Sequence, residues 1–220
     1  MKKGLTELIF ILDRSGSMGG LEQDTIGGFN AMLRRQKAQE GEANITTVLF
    51  DNQYEKIHDR VPLERVKELT DQEYFVRGST ALLDAMGRTI HEMALIQRTL
   101  PREAKAEKVI FVINTDGMEN ASREYSRTRV KAMVEKEKEK YGWEFLFLGA
   151  NMDAVAEAES FGIGRDRAVT FQNDSRGISL NYQVISETVA RMRCQAAIVG
   201  EDWKKKIEED YAGRGKKKWQ

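Results

Sequence analysis

Three short segments concentrate oxygen-bearing side chains. Asp13-Arg14-Ser15-Gly16-Ser17 carries a carboxylate and two hydroxyls at alternate positions, Gly78-Ser79-Thr80 adds hydroxyls, and Thr115-Asp116-Gly117 adds a second carboxylate. In extended backbone alternate side chains point the same way, so Asp13, Ser15 and Ser17 can converge while Arg14 and Gly16 face elsewhere. Gly16 permits a tight loop, and Gly19 and Gly20 let a following helix begin close by. Asp13, Ser15, Ser17, Thr80 and Asp116, completed by water, suit the octahedral oxygen shell of Mg²⁺. Only the two aspartates bring charge. If one of them acts through water, the ion keeps most of its positive charge and accepts an anionic ligand from outside, such as the Asp or Glu of a protein partner.

The rest of the composition agrees with oxygen ligation. Cys194 is the one cysteine, and His58 and His91 are the two histidines. A cysteine-based zinc site and a histidine-rich site are therefore excluded, which leaves a hard cation, Mg²⁺ first with Mn²⁺ or Ca²⁺ as alternatives.

The elements that must position these residues alternate in period. Residues 5–12 are apolar almost throughout after Glu7, as a strand buried on both faces requires. Residues 21–39 follow with helical spacing of Ile26, Phe29 and Leu33. Residues 44–50 form a second strand, Asp51-Asn52 a turn, and residues 54–61 a third strand pairing back as a hairpin, with Pro62 at its end. Helices over 81–98, 124–140 and 153–161 then alternate with strands over 108–114, 145–149 and 168–171. The alternating charges of residues 135–140 mark a solvated helix face. A last helix begins near Ile178, with an apolar stripe through Tyr182, Ile185, Val189, Met192 and Ala196 that packs on the sheet. Strands separated by helices predict a doubly wound, Rossmann-like α/β fold, mostly parallel with one antiparallel edge strand and helices on both faces. In such sheets the functional crevice lies at the carboxyl ends of the strands, where all three oxygen-rich segments fall.

The Asp-x-Ser-x-Ser pattern of Asp13, Ser15 and Ser17, followed by Thr80 in Gly-Ser-Thr and Asp116 in Thr-Asp-Gly, resembles the von Willebrand factor A domain family over about residues 4–200. The five positions correspond to that family's metal-ion-dependent adhesion site. The resemblance implies a small stand-alone member of bacterial or phage style, a doubly wound fold over residues 1–200, and divalent-metal-dependent binding of a protein partner rather than catalysis. It also implies that motion of the last helix against the sheet can switch the site, which directs attention to the stripe from Ile178 to Ala196.

Each segment taken alone has a plainer meaning. Asp13, Ser15 and Ser17 also fit a capping loop, Thr80 a helix N-cap, and Asp116-Gly117 a turn. Asp84 fits first-turn helix stabilisation or a hydrogen bond behind the site. Arg14, Met18, Ser79 and Glu119 are expected at the rim, where they would shape partner choice. Cys194 is expected in the core or at an interface.

Two other functions compete. A strand-end Asp with Ser and Thr neighbours also describes Mg²⁺-dependent phosphotransfer enzymes of the haloacid-dehalogenase type. These need an acid two positions after the nucleophilic Asp, and Ser15 stands there. Residues 15–20 are glycine-rich but match no nucleotide-binding pattern. Nucleic-acid binding would rest on Lys204–Lys206 and Lys216–Lys218 beside Trp203 and Trp219, but acids dilute the first cluster. Lysine and arginine total 35, as do aspartate and glutamate, so no global basic field exists. That neutrality is a sum, because Arg214, Lys216, Lys217 and Lys218 sit in the last ten residues without an acid. Residues 201–220 are accordingly expected to be a charged tail. The apolar run of residues 8–12 falls short of the ~7–15 residues of a signal h-region, and no stretch reaches the ~20 of a spanning helix. A soluble, cytoplasmic protein with no membrane partner is the expectation.

Overall fold

The computed structural model describes residues 1–150, 152–194 and 199–215. Its strands are β1 (Lys2–Asp13), β2 (Glu42–Phe50), β3 (Tyr54–Pro62), β4 (Ala106–Thr115), β5 (Glu144–Ala150) and β6 (Ala168–Phe171). Among the described residues they form one sheet in the order β3-β2-β1-β4-β5-β6. All neighbours are parallel except β2 and β3. The helices are α1 (Glu22–Lys37), α2 (Leu82–Thr99), α3 (Arg127–Tyr141), α4 (Ala154–Ser160), α5 (Ser175–Cys194) and α6 (Lys205–Gly215). The doubly wound, mostly parallel fold with one antiparallel edge strand is thus observed.

The uninterrupted apolar character of β1 has a simple cause. Leu8, Phe10 and Leu12 enter the core beneath α1, α5 and α6, while Ile9 and Ile11 enter the core beneath α2, α3 and α4. Successive side chains alternate faces, so a strand covered on both sides favours apolar residues at consecutive positions. β3 lies at the edge, half exposed and rich in charge, which discourages further strand addition. The expected stripe of α5 is buried from Ile178 to Met192, and Ala196 lies outside the described residues. Tyr182 reaches α1 at Gly28, where an added Cβ would stand 2.3 Å from its ring.

β1 and β4 are adjacent, yet the chain leaves β1 toward β2 and later returns to β4 to build the other half. Crossovers diverge here, opening a crevice above the ends of β1 and β4. β3 runs away from that crevice, so residues 63–81 must climb back. Leu63, Val66, Leu69 and Tyr74 anchor the climb in the core. The Asn30 amide mimics a strand neighbour, donating to the Leu69 carbonyl and accepting its N–H, both at 2.8 Å.

Three expectations are corrected. Residues 201–215 are not a tail. A 3-10 turn (Glu201–Lys204) leads into α6, with Trp203 and Ile207 buried. Trp203 Nε1 donates to the Asp166 carbonyl at 2.8 Å, and Lys204 Nζ donates to the Arg165 carbonyl at 2.7 Å. Two apolar residues four apart suffice to dock a helix whose other faces are charged, and the charge masks them in the sequence. Lys216, Lys217, Lys218 and Trp219 lie outside the described residues. Within the charge-alternating stretch of α3, Glu137 is buried and accepts from Arg98 at 2.6 Å. Cys194 is exposed at the end of α5 rather than in the core. No described helix is long and apolar enough to cross a membrane.

Candidate metal centre

The crevice gathers the five expected residues. Thr80 Oγ1 donates to Ser15 Oγ at 3.1 Å, Ser15 Oγ lies 3.1 Å from Ser17 Oγ, and Ser17 Oγ donates to Asp116 Oδ1 at 2.5 Å. Asp13 stands behind this row, with Oδ1 accepting the Ser15 N–H at 2.7 Å and Oδ2 accepting the Thr115 hydroxyl at 2.5 Å. Asp13, Ser15, Thr80 and Asp116 are buried, whereas Ser17 is exposed at the mouth. The alternation read from the sequence holds because β1 stays extended through its last residue and a 3-10 turn (Gly16–Met18) follows Ser15.

Electrostatics set the two carboxylates apart. Burial pushes the Asp13 carboxyl up to about 6, against hydrogen bonds from Thr115 and Ser15 that pull it down, and the nearby Asp116 charge adds to the rise. Asp116 is also raised by burial, against the pull of Ser17 and Asn173. Two buried carboxylates ringed by neutral hydroxyls favour a hard cation, which would repay their desolvation. Among the described residues no three His, Cys, Asp or Glu side chains converge, so the donor set is two carboxylates and three hydroxyls. The fit is tight at Gly117, where a Cβ would lie 2.7 Å from Thr80 Oγ1 and 3.3 Å from Ser17 Oγ.

A second polar network holds the loops in place. Arg14, fully buried, points away from the crevice as the alternation requires. Its guanidinium donates to Asp51 Oδ2 at 3.1 Å, Glu55 Oε2 at 2.7 Å and the Glu73 carbonyl at 3.1 Å. Arg77 donates to the same Asp51 oxygen at 2.7 Å, and the Asp51 carbonyl accepts the Ala81 N–H at 2.9 Å. The β2–β3 turn is thereby tied to the segment that delivers Thr80. Tyr74 adds a 2.6 Å hydrogen bond to the Asp13 carbonyl. On the other side, Asn120 accepts the Thr80 N–H at 2.9 Å. Glu119 accepts the N–H groups of Leu83, Ala121 and Ser122, and Asp84 accepts those of Arg123, Glu124 and Tyr125. These two acids pin the loop after Asp116 to the start of α2.

The rim therefore differs from expectation. Arg14 and Met18 are buried, the first in an ion-pair network and the second in the core beneath α1. Glu119 spends Oε2 on the Leu83 N–H at the α2 N-terminus, where free N–H groups attract a carboxylate, and Oε1 on the N–H groups of Ala121 and Ser122 in its own loop. Only Ser79 of the expected rim set is exposed. Met118, next to Gly117 in the chain, is also exposed, at 67%. Thr115 and Asn173 were missed. Thr115 was visible as a hydroxyl at the end of a buried strand. Asn173, whose Nδ2 donates to Asp116 Oδ2 at 2.7 Å, follows β6 in a stretch with no motif.

Solved structures share this architecture. Proximal thread matrix protein 1 from the mussel byssus superposes with a TM-score of 0.57 at 15% identity, covering 87% of this chain and 46% of that one. The ArnB paralog VWA2 from Sulfolobus acidocaldarius gives 0.52 at 16%, covering 86% and 45%. A von Willebrand factor type A structure from Catenulispora acidiphila gives 0.53 at 14%, covering 84% and 42%. The fold is that of a von Willebrand factor A domain. This chain spans less than half the length of each of these neighbours. The mussel protein is also described with a zinc-occupied MIDAS, or metal-ion-dependent adhesion site, motif. No protein-family model matches the sequence, and no curated protein matches it. Within the von Willebrand A fold of this chain, the oxygen cluster occupies the switch point between β1 and β4.

Proposed function

We propose that this chain is a divalent-cation-dependent protein-binding module. Asp13, Ser15, Ser17, Thr80 and Asp116 hold the ion, directly or through water, and a partner completes its shell with an Asp or Glu side chain. The observation that carries this reading is the unbroken row of oxygens from Thr80 through Ser15 and Ser17 to Asp116, backed by Asp13, with only two charges among five donors. Such a set leaves positive charge on the ion for an anion from outside. Hard oxygen donors favour Mg²⁺, with Mn²⁺ or Ca²⁺ as alternatives. The function is binding rather than catalysis. Ser15 stands where a phosphotransferase would place its acid, and its Oγ is engaged with Ser17 and Thr80. Trp203 and Lys204, two of the eight residues in the basic-aromatic pattern weighed for nucleic acid, are committed to the core, which supports a protein partner. A cytoplasmic location accords with the single cysteine.

Thermal melting in EDTA and in millimolar Mg²⁺, Mn²⁺, Ca²⁺ or Zn²⁺ tests the centre, with Asp13→Ala as control. An ion that binds only the folded chain raises the melting point by mass action. Wild type insensitive to all four ions would sink the proposal. Partner capture with and without EDTA then tests the carboxylate step.

A further inference from the structure

A cavity lies at the opposite end of the sheet from the crevice. Between the C-terminal ends of α2 and α3 and the start of β4 is a space of about 190 Å³. Buried Ala94, Val109 and Trp143 line it. The Trp143 ring stacks on Phe111 at 5.6 Å, and Phe111 stacks on Phe145 at 4.9 Å. The end of α3 fixes its backbone. Gly142 takes φ 67°, donates to the Lys138 carbonyl at 3.0 Å and turns the Trp143 N–H onto the Glu137 carbonyl at 3.2 Å. That turn brings the Trp143 indole and the Glu137 side chain to the same cavity. Two polar atoms there lack protein partners. Glu137, its side chain 4% exposed, receives Arg98 on Oε1 at 2.6 Å. Neither Glu137 Oε2 nor Trp143 Nε1 has a hydrogen bond among the described residues. A buried indole N–H ordinarily finds an acceptor. Both atoms retain accessible surface, and the space beside these buried side chains is the cavity they line.

We propose that this cavity binds a free monocyclic phenol, its ring against Trp143 and its hydroxyl shared by Glu137 and the Trp143 indole. The proposal is independent of the metal-centre reading. Size sets the number of rings. A cavity of roughly 150 Å³ takes one benzene, so this one holds a single ring with a small substituent. Charge sets neutrality. The ionised side chains lining the cavity are Arg98, Lys105, Glu107 and Glu137, two of each sign. Lys105 Nζ is engaged with the Arg98 carbonyl at 3.2 Å, and Glu107 accepts the Gly4 N–H at 2.7 Å. The remaining acceptor and donor set the polar group, because one hydroxyl can give its hydrogen to Glu137 Oε2 and accept one from Trp143 Nε1. Arg98 and Tyr141, each 45% exposed and 6.0 Å apart from guanidinium to ring, stand at the mouth and leave a way in. An apolar pocket with a few fixed polar groups is the usual form of a small-molecule site.

The test follows the tryptophan indole N–H signals of the full chain by NMR while phenol, benzene, benzoate or N-acetyltyrosinamide is added. Trp143→Phe identifies the Trp143 signal. Phenol should shift that signal saturably and raise the melting point by mass action. Benzene, which lacks the hydroxyl, and benzoate, which sets a charge against Glu137, should bind about tenfold or more weaker. Trp143→Phe and Glu137→Gln should each weaken phenol binding about fivefold or more, read from the melting shift. Ala94→Leu fills the cavity and should abolish binding without lowering the melting point of the unliganded chain, so the proposal stays testable if the polar variants fail to fold. Lys136→Gln, exposed on α3, should leave binding unchanged. No saturable shift in wild type at millimolar phenol would overturn the site. Undiminished binding in Ala94→Leu would place the phenol elsewhere and overturn it equally. Benzene binding as tightly as phenol would overturn the roles of Glu137 and Trp143. Tighter binding of N-acetyltyrosinamide would overturn the free phenol and make the occupant a tyrosine of a partner chain. None of these outcomes bears on the metal centre.

Discussion

Two buried polar clusters flank the same strand end and solve the burial of carboxylates in different ways. On one side of the loop after β1, Asp51 and Glu55 meet Arg14 and Arg77, so the chain supplies matching charge. On the other side, Asp13 meets an amide and the Thr115 hydroxyl, and its carboxyl is pushed up to about 6. The first cluster is complete as a structural clasp. The second is balanced by neutral groups, the arrangement that the proposed ion site calls for. Residues 13 and 14 are adjacent, and the alternation of extended backbone sends them into opposite roles.

The sharpest contrast should come from removing one member of each cluster. Arg14→Ala removes a fully buried guanidinium and leaves buried Asp51 with Arg77 as its one cationic partner, and should cost about 3 kcal/mol in urea unfolding. Asp13→Asn in EDTA at pH 8 should melt no lower than wild type, because it removes a charge that burial disfavours. Similar losses in both variants would erase the distinction between clasp and site. Next in size is the ion itself. At 100 times its dissociation constant, Mg²⁺ should stabilise wild type by about 2.7 kcal/mol and leave Asp13→Asn unmoved, as seen by melting.

The pH dependence separates the clusters further. Asp13 holds its proton in the folded chain over a window, from 3.8 to about 6, in which the unfolded chain has released it. The folded state then binds more protons, so this group's contribution to stability falls as pH rises through that window and is level above it. Urea unfolding in EDTA at several pH values should show the difference between wild type and Asp13→Asn changing between pH 4 and 6. Metal binding must expel the same proton, so Mg²⁺ affinity should rise over that range and level off above it. A smaller effect is expected at Gly117. Gly117→Ala puts a methyl 2.7 Å from Thr80 Oγ1 and should weaken Mg²⁺ binding in calorimetry while shifting the EDTA melting point little.

Much of this was legible from local pattern. The double burial of β1, the hairpin edge, the switch-point crevice and the five converging oxygens all follow from periodicities of two or about four residues and from side-chain chemistry. The rim was not legible. Arg14 looked like surface because arginine is seldom fully buried unless paired, and its partners lie 37, 41 and 59 positions away. Glu119 looked available because nothing local shows that α2 needs a cap from a loop 36 positions downstream. The segment from residue 201 looked like a tail because two apolar anchors sit among many charges.

By itself, the sequence determined which atoms this protein can bring to an ion and which strand ends carry them, since donor chemistry and backbone period are local properties. Tertiary structure alone decided which of those atoms meet, which neighbours are consumed in holding them, and that Asn173 stands against Asp116. Those outcomes depend on contacts between residues about a hundred positions apart, as in Asp13 with Thr115, 102 positions on, and on the burial that gives each contact its strength.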